Sequence, residues 1–187
     1  MKKEFTSGES WNSASIAGLV LAVLTIAAET ISALCGKVNG IAGGFLGFMA
    51  WAGKLVLCAM VFKKFMVRFH STYEGVDYPR LQRYGLKLAL FSSIVVAAYS
   101  IINLLVINPG AMDDILEVFR TSYSSMMDSN TEAAFQKMLP KMPYYMAFGT
   151  LIYCFLWGWL YSTLFARSAV PNDPFADIDN EETIDNQ

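Results

Sequence analysis

The chain has 187 residues, of which 55% are hydrophobic and 16% charged, with a formal net charge of −2. A water-soluble domain carries about a quarter charged residues, and here the charges sit in clusters between long apolar runs. That excludes an ordinary soluble fold and points to lipid, in one compact unit at this length.

Four runs qualify as membrane spans: 14–35, 41–62, 84–107 and 144–165, each of 22 to 24 residues. At the α-helical rise that is roughly 33–36 Å, enough to cross a hydrocarbon core of about 30 Å with some tilt. A soluble bundle of long helices needs polar outward faces, and these runs are apolar all round. The predicted fold is therefore an all-α membrane protein with four transmembrane helices. Residues 1–13 precede the bundle, 14–167 form it, and 168–187 follow it.

The first run begins after Lys2 and Lys3, as a signal peptide would. Its apolar part is longer than a signal core, and Glu29 interrupts it. The closing SALCG resembles a lipoprotein cleavage site but has Leu34 where a small residue is needed, so the run reads as a retained helix. GKVNG (36–40) is short and turn-like, which makes the first two helices antiparallel neighbours. The second run contains Lys54.

The second connection, KKFMVRFHSTYEGVDYPRLQR, mixes aromatic and basic residues. Lys63, Lys64 and Arg68 would meet anionic lipid headgroups while Phe65 and Phe69 dip into lipid. An ordinary basic loop is the plainer reading. The third connection, 108–143, is long. Asp113 and Asp114 suit the first turn of a helix. Ile115, Phe119, Tyr123 and Met126 then recur at helical spacing. DSNT breaks the pattern, and a second short one with Phe135, Met138 and Leu139 ends before Pro140. This predicts an extracytoplasmic helical hairpin between the third and fourth spans, with 111–127 helical. Its methionines (Met112, Met126, Met127, Met138, Met142) suit gap-filling packing better than metal binding. The tail from Ser168 carries six acids and no base, so disorder is expected there. Without it the net charge would be +4.

Basic residues orient the chain. Lys2, Lys3, Lys63, Lys64, Arg68, Arg80, Arg83, Lys87 and Arg167 fall on one side, against Lys37, Arg120, Lys137 and Lys141 on the other. The positive-inside bias places both termini in the cytoplasm. Trp11, Tyr84, Tyr144, Tyr145 and Tyr161 lie near span ends, where amphipathic rings settle.

Motifs for catalysis are absent. Cys35, Cys58 and Cys154 form no CxxC, and His70 is the single histidine, so no metal site is indicated. GFMAWAGKL (47–55) has one residue too many for a phosphate loop, and Leu55 stands where a hydroxyl is needed. No enzyme, cofactor or nucleic-acid partner is expected.

The layout resembles the domain of unknown function 4199 family, small membrane proteins mostly from Bacteroidota. The carrying stretches are YPRLQRYGLKLALFSSIVVAAYSIINLLVINP, VFRTSYSSMMDSN and MPYYMAFGTLIYCFLWGWLYSTLFAR, within 14–167. The resemblance implies a helical protein of the bacterial inner membrane. It implies no activity and no residue roles.

Glu29 and Lys54 are the candidate site. An ionisable residue within a span is a functional hypothesis by default, though snorkelling or packing against a watery crevice explains many. Glu29 lies about 10 Å below the turn and Lys54 about 21 Å, an axial offset of about 10 Å. Their side chains lean toward each other, so long stems or a water are expected to close the gap. Thr25, Glu29 and Ser32 share a stripe on the first helix, and Gly43, Gly47, Ala50 and Lys54 on the second, where small residues permit close approach. Ser92, Tyr99 and Asn103 on the third helix and Gly149 and Tyr153 on the fourth are expected to face the same interior. The expected intramembrane polar cluster is thus Glu29, Lys54, Thr25, Asn103 and Tyr99. Two functions compete. One is a structural or accessory component, with a homo-oligomer left open. The other is a small oligomeric transporter or proton-coupled sensor in which Glu29 titrates. Four helices without an internal repeat are few for a transporter, which favours the first.

Overall fold

The computed structural model describes residues 6–36, 41–123 and 137–169. These residues are helical almost throughout: α1 (Ser7–Gly36), α2 (Ile41–Thr72), α3 (Tyr78–Ile102), α4 (Gly110–Tyr123) and α5 (Met142–Ala169). Four of the five are long and apolar enough to cross a membrane; only α4 is not. The acidic tail and most of the second half of the expected hairpin lie outside the described residues.

Each long helix outruns its apolar run. α1 starts at Ser7 with Glu9 in its first turn, where a carboxylate offsets the partial positive charge of the free N–H groups. α2 corrects the expected second loop. Lys63 and Lys64 end the apolar run, but nothing there breaks a helix, and α2 continues through the basic stretch to Thr72. The break comes at Gly75, whose φ of +66° is one that side-chain-bearing residues rarely adopt. Arg80 donates a hydrogen bond to the Gly75 carbonyl, and Pro79 then sits in the first turn of α3. Proline fits there because that N–H has no partner in the helix.

α3 loosens into a π-helical turn at Asn103–Ile107, where the Asn108 N–H donates to the Asn103 carbonyl at 2.7 Å. Pro109 then precludes continuation. α4 has Asp113 in its first turn and holds Ile115 half-buried. The expected helix over 111–127 is thus observed as far as Tyr123; the side chains of Phe119 and Tyr123 lie outside the described residues. Pro140 does not stop the chain. It sits in a 3-10 turn, Leu139–Lys141, that leads straight into α5.

α1 packs between α2 and α3, α3 packs most extensively on α5, and a lighter α2–α5 contact closes the ring. The tightest approaches are at glycines. A Cβ on Gly18 of α1 would come within 2.7 Å of Phe91 Cβ and 2.9 Å of the Leu88 carbonyl on α3. On α3 and α5, Gly85 abuts Ser162 and Gly158 abuts Ala89. Gly47, expected in a small-residue seam of α2 against α1, makes no close approach and faces open space, as does Gly149 on α5. The largest buried side chains include Phe62, Met66, Leu81, Tyr84 and Leu88, and they gather where α1 begins, α2 ends and α3 begins. Elsewhere large apolar groups point outward, among them Phe45, Phe48, Val56 and Met60 on α2. Water tolerates no such continuous apolar surface, whereas lipid does. The fold is that of an integral membrane helical bundle.

Candidate functional site

Thr25 and Glu29 stand one helical turn apart on α1, and Lys54 and Cys58 one turn apart on α2. The antiparallel packing of the two helices matches these pairs. Lys54 Nζ donates to Glu29 Oε1 at 3.1 Å, and Thr25 Oγ1 lies 3.5 Å from Cys58 Sγ. The Thr25 hydroxyl also donates back to the Leu21 carbonyl at 2.8 Å, so it is satisfied within α1.

The second contact corrects the reason expected for the first. Thr25 and Cys58 have short side chains and sit at the same relative depths as Glu29 and Lys54. Backbones offset by about 10 Å would keep them apart. α1 and α2 are therefore displaced along their axes, and the pair meets without its long stems bridging a gap.

The two charges are unequally enclosed. The Lys54 side chain is 13% exposed and the Glu29 side chain 37%. Lys54 points into the bundle, where a small cavity of about 60 Å³ is lined by Thr25, Cys58, Ser92, Tyr153 and Cys154 among others. Tyr161 on α5 reaches across to the Leu55 carbonyl at 3.4 Å and bounds the same space.

The structure brings Glu29, Lys54 and Thr25 together, with Ser92 nearby. It does not bring in Tyr99 or Asn103: among the described residues no hydrogen bond joins either to the pair. The contacts of Gly18 with Leu88 and Phe91, extended by helical rise, put Asn103 at about the depth of Glu29. Depth is not the obstacle. α3 does reach the space beside Lys54, through Ala89 and Ser92, but neither Tyr99 nor Asn103 is among the residues that line it. Asn103 serves instead through its backbone, as the acceptor that closes the π-helical turn.

The polar contacts that pattern reading missed lie at the start of α1. Lys87 Nζ donates to Ser10 Oγ at 3.2 Å and lies 4.6 Å from the centre of the Trp11 ring. Ser13 and Tyr84 hydroxyls are 3.3 Å apart. No simple spacing foretold these contacts: parallel helices would pair Ser10 with Tyr84 and Ser13 with Lys87, whereas the observed pairs cross because the long Lys87 side chain reaches back toward the start of its helix. On the outer face of α2, Lys63, Lys64 and Arg68 surround a shallow groove floored by Met60 and Val67. No cluster of His, Cys, Asp or Glu able to hold a metal occurs among the described residues. Compared with known proteins, the chain matches no family model, no curated protein and no solved structure.

Proposed function

We propose that this protein is a structural or accessory component of the bacterial inner membrane, in which the Glu29–Lys54 pair fixes the register of α1 against α2. The observation that carries the reading is the pair at 3.1 Å beside a cavity of only about 60 Å³. Sites for small molecules are typically about 300 Å³ or larger, so the space beside the charges suits water and packing better than a transported solute. A buried ion pair is weak support for stability, but it penalises every register in which a charge loses its partner.

The proposal extends to surroundings. Both termini lie in the cytoplasm, the 108–143 segment lies outside, and anionic headgroups gather at Lys63, Lys64 and Arg68. A second copy of the chain is the natural partner for an accessory component, and no catalytic role is assigned. The layout shared with the domain of unknown function 4199 family supports the same kind of membrane bundle and adds no activity.

Mutation of the pair tests the reading. Glu29→Gln and Lys54→Met are each expected to lower stability in vesicles by about 1.5–3 kcal/mol, the range for hydrogen bonds to charged groups. Replacing both partners is near neutral when an ion pair serves only geometry. The double variant is therefore expected to recover most of the loss and to complement a strain lacking the gene. A double variant that is stable yet fails to complement would favour a titrating Glu29 instead. Single effects that simply add would show the two side chains to be independent.

A further inference from the structure

Where α1 begins and α2 ends, the two helices part around a cleft of about 480 Å³. Its walls are two regular helix faces. Glu9, Asn12 and Ile16 line it along α1, and Phe65, Arg68 and Thr72 along α2, each set at the spacings of three and four that share a face. The back wall is fixed. Tyr84 is 1% exposed, its ring stacks on Phe69 with centroids 3.8 Å apart, and its hydroxyl meets Ser13.

Because α1 and α2 are antiparallel, the lining is ordered by depth. Glu9 and Thr72 lie at the mouth. Ile16 and Phe65 lie seven residues further in, about 10 Å toward the apolar body of the bundle. Arg68 comes between. The cleft thus has a polar mouth carrying both signs of charge and an apolar floor. Among the described residues neither Glu9 nor Arg68 has an ionic partner. Glu9 Oε2 accepts one hydrogen bond, from Thr6 Oγ1 at 3.2 Å.

An anionic headgroup would satisfy Arg68 and be repelled by Glu9; a cationic one would do the reverse. A headgroup with a phosphate and a primary ammonium satisfies both, and its three N–H donors suit a carboxylate with free lone pairs. The apolar floor selects a molecule with a tail. We infer that this cleft binds a zwitterionic phospholipid of the ethanolamine class, with phosphate on Arg68, ammonium on Glu9 and an acyl chain over Ile16 and Phe65. Arg68 also borders the outer groove with Lys63 and Lys64, but that groove has no carboxylate in its lining and lacks this selectivity. The inference rests on the membrane reading of the four helices and adds a ligand class to it.

The test uses the purified full chain in phosphatidylcholine vesicles and nanodiscs. Phosphatidylethanolamine, its mono- and dimethylated forms and phosphatidylglycerol are added in turn, and bound lipid is read by native mass spectrometry alongside thermal unfolding. Phosphatidylethanolamine is expected to be retained at least about tenfold over phosphatidylglycerol, with retention falling at each methylation. Glu9→Gln should abolish the preference for ethanolamine over choline, and the small loss of stability from removing the first-turn carboxylate should be the same in every lipid. Equal or better retention of phosphatidylglycerol, or a preference that survives Glu9→Gln, would overturn the assignment. So would soluble phosphoethanolamine or inorganic phosphate binding as tightly as the lipid, since the tail would then play no part. A chain that does not insert into vesicles would overturn the membrane reading as well, and is distinguished by its failure to float with lipid.

Discussion

At the scale of single residues, two kinds of side chain set the helix contacts, and only one kind was visible in the sequence. Glu29 and Lys54 stand out because a charge within an apolar run is rare and expensive. Gly158 stands out from nothing: in WGWLY it reads as one more residue of a lipid-facing segment. Its role depends on Ala89, 69 positions earlier, whose Cβ occupies the space a side chain at 158 would need. Gly158→Ala is therefore expected to destabilise by about 1–3 kcal/mol, the usual cost of overpacking. Ala89→Gly alone should cost about 1 kcal/mol through helix propensity. The double variant should be more stable than the sum of the two, because the new methyl fills the vacated space. Gly53→Ala, with open space around it, should be neutral or slightly stabilising. Thermal unfolding of the four variants in vesicles decides. Helical spacing gave depth and face for Tyr99 and Asn103, but among the described residues Ala89 and Ser92 are the α3 residues that line the space beside Lys54.

At the scale of elements, apolar runs located all four long helices but not their ends. Hydropathy marks where lipid stops. A helix stops where the backbone must, at a glycine with positive φ or at proline. α2 therefore runs ten residues past its apolar span, to Thr72, and turns only at Gly75. Gly75→Ala is expected to cost about 1–2 kcal/mol, the penalty of a side chain in the left-handed region, and Gly75→Asn less, since asparagine tolerates that region. Amide exchange on the native protein should find residues 63–72 protected and 74–76 open. Rapid exchange across 63–72 would mean that α2 ends with the apolar run. The π-helical turn at Asn103–Ile107 was not legible, because nothing in NLLVI departs from an ordinary helix pattern.

At the scale of the whole molecule, the arrangement follows from two surfaces. Small residues draw α1 to α3 and α3 to α5, while α2 leaves most of its apolar surface outward and is held at its end by Phe62, Met66 and Phe69 in the core and further along by the charge pair with α1. An outside built of Phe45, Phe48, Val56 and Met60 requires lipid around it. The proposed orientation rests on the basic residues. The central claim is four membrane crossings with both ends of the chain on one side. It is tested most directly by cysteine accessibility in intact cells, with the native cysteines replaced and single cysteines placed at the exposed positions Glu74, Asn108 and Ser168. A membrane-impermeant maleimide is expected to label position 108 at once, and positions 74 and 168 only after the membrane is permeabilised. Labelling of 108 and 168 from the same side would contradict the account, because an odd number of crossings must separate them.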